Sequence, residues 1–298
     1  MQSCTLAARA KINLYLEILG QRADGYHEVA MVLQSVELAD HLHLTLTDSG
    51  IQLQSAHPDI PLDHQNLAYR AAHLLRSTYP CPGGVNIHIE KRIPVAAGLA
   101  GGSTNAAAVL VGLNQLWGLG LITADLQTLA AQLGSDVPFC ISGGTQLATG
   151  RGEVLEPLLH LGEVPLVLAK PRSLSVSTAW AYRAYQEFPQ DSQSPQQRNQ
   201  MLQTLNIQHL SDIAQHLHND LEKPVLAHHP QVSHLKQRLM KLGALGSMMS
   251  GSGPTVFGLM PSLDVAEKAA TTLQQEDPDL EVFTTQTAPT GISLYRED

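Results

Sequence analysis

The stretch of residues 94–108, PVAAGLAGGSTNAAA, decides how the rest of the sequence is interpreted. Its glycines have no Cβ atom, so backbone N–H groups there can approach an anion closely. A helix predicted from about Ser103 to Leu116 adds unpaired N–H groups and the positive end of its dipole. The stretch therefore predicts a phosphate-binding loop, with the hydroxyl groups of Ser103 and Thr104 within reach of phosphate or Mg²⁺.

Two common phosphate motifs do not describe this loop. No G-K-[ST] follows the glycines, as it does in a P-loop, and their spacing is not G-x-G-x-x-G. The plainer interpretation is a tight strand-to-helix turn that needs small residues only for packing. The proline before the glycines and the alanine-rich start of the helix favour the phosphate loop.

The composition narrows the class of protein. The chain has 298 residues, enough for two domains, and a net charge of −9. That charge argues against nucleic acid and anionic membranes as main partners, since both require a basic surface. No apolar run approaches the roughly 18 residues that cross a bilayer, and the first residues lack the pattern of a signal peptide. We expect a cytoplasmic protein whose three distant cysteines form neither a disulfide framework nor a zinc site.

The pattern of apolar residues predicts a β-rich first third followed by mixed helices and strands. Alternation over residues 12–18 predicts a half-buried first strand, which the Asp24-Gly25 turn ends. Residues 186–200, rich in Gln, Pro and Ser, predict a surface loop. We expect a domain boundary near Glu156, which gives domains of residues 1–156 and 157–298. Further strands are predicted at 42–46, 85–89, 164–169, 246–250, 255–260 and 280–285, and further helices at 66–79, 123–133 and 263–275.

Three segments, in order, resemble the motifs of the GHMP kinase superfamily, which includes galactokinase, homoserine kinase and mevalonate kinase. They are residues 8–14 (ARAKINL), the loop 94–108, and residues 249–257 (MSGSGPTVF). Within the superfamily, residues 25–27 (GYH) and 133–139 (LGSDVPF) are similar to kinases whose acceptor is a cytidine diphosphate ester of methylerythritol. The similarity extends over nearly the whole chain.

The resemblance implies an α+β, two-domain GHMP kinase fold. An N-terminal ATP-binding domain and a smaller α/β substrate domain would place the active site in the cleft between them. It also implies ATP with Mg²⁺ as cofactors, a small-molecule cytidine diphosphate substrate, and phosphorylation of its 2-hydroxyl group in non-mevalonate isoprenoid synthesis. The magnesium ligands and the oligomeric state are left open, and the loop itself contains no Asp or Glu.

Two residues are candidates for catalysis. Phosphoryl transfer to an alcohol needs a positioned base near the hydroxyl group and positive charge near the moving phosphoryl group. By resemblance, Asp136 takes the proton and Lys11 orients Asp136 and stabilises the developing charge. Taken alone, Asp136 is equally typical of a helix N-cap and Lys11 of a solvated strand end.

The resemblance also assigns the binding residues. Asn13 is a candidate for the diphosphate or sugar of the substrate, Tyr26 for stacking on the cytosine, and His27 for reading its edge. Thr178 and Tyr182, one helical turn apart, are candidates for the other side of the base, with Trp180 as the alternative to Tyr182. For ATP the candidates are Lys91, with Arg92 as the alternative, and Pro94, Gly98, Leu99, Ala100, Gly101, Gly102, Ser103 and Thr104.

Two other functions compete with this one. The first is a GHMP kinase with another acceptor, such as homoserine or mevalonate, against which Tyr26 and His27 argue. The second is a non-catalytic nucleotide-binding protein of the same fold, which Lys11 and Asp136 make less favoured. The remaining histidines lack carboxylate or cysteine residues at ligand spacing, so no metal site is predicted from them.

Overall fold

The computed structural model describes residues 2–188 and 195–295. Its helices and strands follow one another as β1 (Ser3–Gln21), β2 (His27–Thr47), β3 (Ile51–Gln54), α1 (Leu67–Thr78), β4 (Gly84–Glu90), α2 (Gly101–Leu116), α3 (Thr123–Ala130), α4 (Val137–Ser142), β5 (Thr145–Thr149), β6 (Val154–Pro157), β7 (Pro165–Pro171), α5 (Thr178–Tyr185), α6 (Pro195–Ile207), α7 (Leu210–Gln215), β8 (His218–Asn219), α8 (Glu222–His228), α9 (Pro230–Lys241), β9 (Gly246–Met249), β10 (Val256–Leu259), α10 (Leu263–Glu276), β11 (Leu280–Gln286) and β12 (Ile292–Leu294). None of these helices is long and apolar enough to cross a membrane.

Two sheets organise the described chain. The larger has the order β12-β1-β2-β4-β3, with β5 and β8 joined to β2 and β1 and β6 joined to β5. The smaller has the order β11-β7-β10-β9. The change of sheet falls between β6 and β7, close to the expected boundary at Glu156, although β8 and the unpredicted strand β12 return to the larger sheet. The division into domains 1–156 and 157–298 stays a prediction.

Strand β1 differs from its prediction as a half-buried strand, because both of its faces are buried from Ala10 to Ile18. Pairing with β2 shifts between Asn13 and Tyr15, so the extra residue Leu14 forms a β-bulge and reverses the alternation of faces. Ile12 therefore packs in a core shared with the second sheet, whereas Leu16 and Ile18 pack in the larger core. The bulge leaves the polar side chains before it, including Lys11, facing the cavity described below.

Helix α2 carries the phosphate loop against the larger sheet. It begins at Gly101, two residues before the predicted start, and ten of its 16 residues are buried. Gly112 allows the close approach, since a Cβ there would lie 2.5 Å from a methyl carbon of Leu44 and 2.6 Å from one of Leu6. The close packing fixes the start of the helix relative to β1 and β2.

The predicted loop at residues 186–200 is wrong where the structure describes its second part. Residues 195–200 belong to α6, and residues 189–194 lie outside the described part of the chain. Farther along the helix, Met201 and Leu205 are buried in the core shared by the two sheets. Burial of these apolar residues stabilises a helix that its polar first turns do not predict.

Candidate active site

A cavity of about 1190 Å³ is lined by the loop 94–103, by β1, by the turn before β2 and by α5. Small-molecule sites usually occupy about 300–1,000 Å³, so the cavity is large enough for two ligands side by side. We call residues 94–103 the phosphate loop. We call the group of Tyr26, His27, Arg151, Tyr182 and Gln186, which also lines the cavity, the base end.

The backbone of the phosphate loop is held in an unusual conformation. Ala96, Gly98 and Ala100 have φ values of 50°, 75° and 58°, in the left-handed region that non-glycine residues seldom adopt. At Gly98 a Cβ would lie 2.1 Å from the carbonyl oxygen of Ser250. No side chain caps α2 at Ala100, so its first N–H groups are available to an anion in the cavity.

Six of the eight residues predicted in this loop line the cavity: Pro94, Gly98, Ala100, Gly101, Gly102 and Ser103. The other two, Leu99 and Thr104, do not line it. The Thr104 hydroxyl group is buried and donates to the carbonyl oxygen of Arg9 at 2.7 Å. Leu99 is 1% exposed and packs in the core between the sheets. Both lie on the side of the loop that faces β1, and phosphate binding by the other six stays a prediction.

Lys91, rather than Arg92, reaches the cavity. Its Nζ donates to Asp40 Oδ2 and to the carbonyl oxygen of Ile93, both at 2.6 Å. The same Nζ lies 2.8 Å from the position of a Cβ on Gly101. Burial lowers the pKa of Lys91, and the charge of Asp40 opposes that shift. The Arg92 side chain is exposed beside Glu90, and adenine contact by Lys91 stays a prediction.

Asp40 is a residue that the sequence reasoning missed. Its fully buried carboxylate accepts hydrogen bonds from Lys91 Nζ, from the amides of Arg92 and Ile93 at 2.7 and 2.8 Å, and from Asn105 Nδ2 at 2.8 Å. These donors lie before and after the phosphate loop, so one carboxylate joins both of its ends. The available signal was an acidic residue inside the apolar pattern of β2, where only a paired charge is tolerated.

Lys11 and Asp136 meet on the wall of the cavity. Lys11 Nζ lies 3.7 Å from Asp136 Oδ2 and donates to Asn13 Oδ1 at 2.7 Å. The Lys11 side chain is 6% exposed, which rules out a solvated strand end. Asp136 precedes α4 but its side chain makes no capping hydrogen bond, so its carboxylate faces Lys11. The predicted proximity is confirmed, whereas the roles in catalysis stay predictions.

The glycine-rich turn after β9 approaches this pair closely with its backbone. A Cβ on Gly251 would lie 3.4 Å from Lys11 Nζ and 3.2 Å from Asn13 Oδ1. Ser250 Oγ donates to the carbonyl oxygen of Gly98 at 3.0 Å, which ties the turn to the phosphate loop. Asn219, not singled out from the sequence, donates to the Gly251 carbonyl oxygen at 2.8 Å.

Aromatic side chains form the base end. Tyr26 is 53% exposed, and the Arg151 guanidinium lies 4.8 Å above the centre of its ring. The rings of His27 and Tyr182 stack with centroids 5.0 Å apart. Burial lowers the pKa of His27 and raises that of Tyr182, the latter also through the negative charge of Asp136. The structure thus brings the predicted aromatic residues together and adds Arg151, which the sequence reasoning missed.

The two candidate aromatic residues of α5, Trp180 and Tyr182, lie in different surroundings. Tyr182 lines the cavity, whereas Trp180 packs edge-on against His228 and His229. Thr178 also lines the cavity, and its Oγ1 lies 3.0 Å from Ser252 Oγ. The side of α5 with Thr178 and Tyr182 therefore faces the substrate space, as predicted, while their contact with a base stays a prediction.

The described residues include no group of three or more His, Cys, Asp or Glu side chains that could hold a metal ion. Magnesium in phosphoryl-transfer sites usually needs only one or two protein oxygens, because phosphates and water complete its shell. Ser103 and Asp136 place such oxygens on the cavity. The donor set therefore fits a magnesium ion carried in with a nucleotide.

Comparison with known proteins agrees with this geometry. Residues 66–144 match the family model of the GHMP kinases N terminal domain, and residues 201–279 match that of the GHMP kinases C terminal. A 4-diphosphocytidyl-2-C-methyl-D-erythritol kinase from Synechococcus sp. (strain JA-3-3Ab) is 59% identical over 99% of this chain and 97% of its own length. The kinase of that name from Gloeobacter violaceus is 53% identical over 100% and 99%.

Solved structures show the same architecture. A crystal structure of 4-(cytidine 5'-diphospho)-2C-methyl-D-erythritol kinase superposes with a TM-score of 0.80 at 37% identity, covering 95% of this chain and 99% of that one. Homoserine kinase from Cytophaga hutchinsonii also gives a TM-score of 0.80, at 20% identity, over 99% and 98% of the two chains. The second likeness concerns the fold alone.

Proposed function

The chain belongs to the GHMP kinases, among the 4-diphosphocytidyl-2-C-methyl-D-erythritol kinases, and we propose that it transfers the γ-phosphoryl group of ATP to the 2-hydroxyl group of that cytidylylated alcohol. ADP and the 2-phosphate are the products, in the non-mevalonate route to isoprenoid precursors. The observation that carries the proposal is the Lys11–Asp136 pair between the phosphate loop and the base end.

The donor nucleotide lies along the phosphate loop. The N–H groups at the start of α2 bind its phosphates, and the helix dipole favours their negative charge. The hydroxyl oxygen of Ser103 would bind the magnesium ion that accompanies the nucleotide, and the ion would neutralise charge on the phosphates. Asp40 and Lys91 keep both ends of the loop in place beneath it.

The acceptor lies on the other side of the Lys11–Asp136 pair. Tyr26 and Tyr182 contact the cytosine, and Arg151 and Asn13 lie where the diphosphate passes toward the reacting hydroxyl group. The Asp136 carboxylate accepts the proton of the 2-hydroxyl group, and the Lys11 ammonium group stabilises the charge that develops during transfer. Positioning and electrostatics supply most catalysis in this chemistry, so no covalent intermediate is required.

The cellular setting follows from the substrates. Both are soluble small molecules, and ATP is abundant in the cytoplasm, where we place the reaction. We also propose that residues 1–156 form the ATP-binding domain and residues 157–298 the substrate domain. The alternative acceptors, homoserine and mevalonate, are supported only by neighbours that share the fold at 20% identity or less.

A coupled ADP-release assay with a panel of acceptors tests the proposal. With Mg-ATP, we expect turnover with 4-diphosphocytidyl-2-C-methyl-D-erythritol and a new phosphomonoester signal in the ³¹P NMR spectrum of the product. CDP should inhibit competitively with the acceptor. ADP release with homoserine or mevalonate but not with the cytidylylated alcohol, or the absence of inhibition by high CDP, would contradict it.

A further inference from the structure

The base end contains a hydrogen bond that nothing in the proposed reaction explains. Gln186, the residue that follows α5, places its amide nitrogen Nε2 at 3.2 Å from Nε2 of His27. An amide nitrogen is only a donor, so Nε2 of His27 must be the acceptor of this hydrogen bond. A neutral imidazole with Nε2 as acceptor carries its proton on Nδ1.

Two further observations agree with this tautomer. Burial lowers the pKa of His27 and so favours the neutral ring. Its flat face stacks on Tyr182, which holds the ring plane in place beside the cavity. In the part of the chain that the structure describes, Nδ1 has no hydrogen-bond partner, so its N–H group remains available to a ligand.

We propose that Gln186 is a specificity-determining residue, which fixes His27 in the Nδ1–H tautomer and so selects cytosine over uracil. Cytosine offers an unprotonated N3 that accepts from Nδ1–H. Uracil offers N3–H at the same place, so the two donors oppose each other and both lose a partner. The inference rests on the proposed function, because it assumes that the base end receives the base of the substrate.

The first test is binding of CDP and UDP to the whole protein at pH 8.5, where the imidazole is neutral. The wild type should bind CDP at least about tenfold more tightly than UDP, since an unpaired donor weakens binding by about that factor. Gln186→Glu places an acceptor beside Nε2, moves the proton from Nδ1 to Nε2, and should lower the CDP/UDP affinity ratio about tenfold.

Gln186→Lys is the matched control. Its ammonium group donates to Nε2 as the amide does, so the CDP/UDP ratio should stay within about twofold of the wild type. The charge introduced in either variant acts on the phosphates of both nucleotides alike, so the ratio isolates the effect on the base. A ratio that changes equally in the two variants, or in neither, would overturn the proposal.

The tautomer is read independently from two-bond ¹H–¹⁵N correlation spectra of uniformly labelled protein. The chain has 14 histidines, so the His27 signals are assigned by their disappearance in His27→Gln. The wild type and Gln186→Lys should show the Nδ1–H form, and Gln186→Glu the Nε2–H form. An Nε2–H form in the wild type would overturn the inference whether or not the protein is a kinase. Failure to bind CDP would instead reject the proposed function and the cytosine selectivity, while the tautomer assignment stood by itself.

Discussion

The two ends of the cavity are built from different parts of the chain. The phosphate loop uses the backbone of one continuous segment, and the carboxylate of Asp40 holds that segment at both ends. The base end uses side chains from three distant segments of the chain. One of these side chains, Tyr26, is half exposed. A surface made of backbone groups accepts the phosphates of any nucleoside triphosphate, whereas side chains distinguish one base from another. We infer that the phosphate loop serves the phosphoryl donor and that the base end determines which acceptor binds.

The strongest test of this division acts on the residues between the two ends. Asp136→Asn keeps the shape of the side chain and removes the proton acceptor near Lys11. We expect kcat to fall about 1,000-fold, within the range of a lost general base, while the Kd values of ADP and CDP change only a few-fold. Turnover within tenfold of the wild type would remove Asp136 from the base role and leave the two ends without a common chemical step.

Variants at two glycines of the phosphate loop distinguish its role in backbone conformation from its role in ligand binding. Gly98→Ala places a Cβ 2.1 Å from the Ser250 carbonyl oxygen at a φ of 75°, which should lower the free energy of unfolding by about 3 kcal/mol or more. In Gly102→Ala the one described atom within 4 Å of the Cβ is a Leu67 methyl carbon at 3.8 Å, so stability should hold while ADP binding weakens. Thermal unfolding and ADP titration check both variants, and equal losses of stability would contradict the contrast.

The variant Asp40→Asn tests whether the Asp40 carboxylate keeps the phosphate loop in its binding conformation. Asp40→Asn turns an amide donor toward Lys91 or Asn105, which are donors themselves. We expect ADP to bind about tenfold more weakly, as for the loss of a charged hydrogen bond, and CDP to bind as before. Asp59→Asn, at an exposed acid of the same cavity, is the control. Equal weakening of ADP and CDP in Asp40→Asn would mean that Asp40 stabilises the whole protein and not one end of the site.

Tyr26 tests the opposite end. Tyr26→Ala removes a ring that Arg151 covers on one side, and loss of base stacking should raise the acceptor KM about tenfold. The KM of ATP and kcat should change little. Tyr26→Phe keeps the ring and should restore the acceptor KM to within about twofold. If Tyr26→Phe were as impaired as Tyr26→Ala, the hydroxyl group and not the aromatic face would be the contact.

The sequence predicts the two ends to different degrees. The phosphate loop is visible because glycine, alanine and serine at this spacing carry a physical meaning, whereas Tyr26 and His27 depend on resemblance. Asp40 escaped prediction because its hydrogen-bond donors lie in two distant segments, residues 91–93 and Asn105, which meet it only in the folded chain. The burial of the Thr104 hydroxyl group was not foreseen because the sequence does not tell which side of a helix start faces the sheet. The sequence also does not show the bulge at Leu14, which reverses the faces on which the alternating side chains of β1 lie.

The smallest expected effect is that of changing Glu17, which like Asp40 is a buried carboxylate of the larger sheet. Asp40 has four donors, whereas Glu17, 2% exposed, has only Tyr15 at 3.4 Å and the guanidinium of Arg198 at 3.6 Å in the described chain. Burial raises the pKa of Glu17 above its usual 4.5, despite the opposing charge of Arg198. A raised folded-state pKa means that the contribution of Glu17 to stability is full below pH 4.5 and is lost as pH rises through the higher value.

Glu17→Gln should therefore reduce the fall in Tm between pH 5 and pH 8 by about 1–2 °C. Glu267→Gln, at an exposed glutamate of α10, should leave that fall unchanged. An identical pH response in Glu17→Gln and the wild type would show that Arg198 and Tyr15 compensate Glu17 as fully as the four donors compensate Asp40.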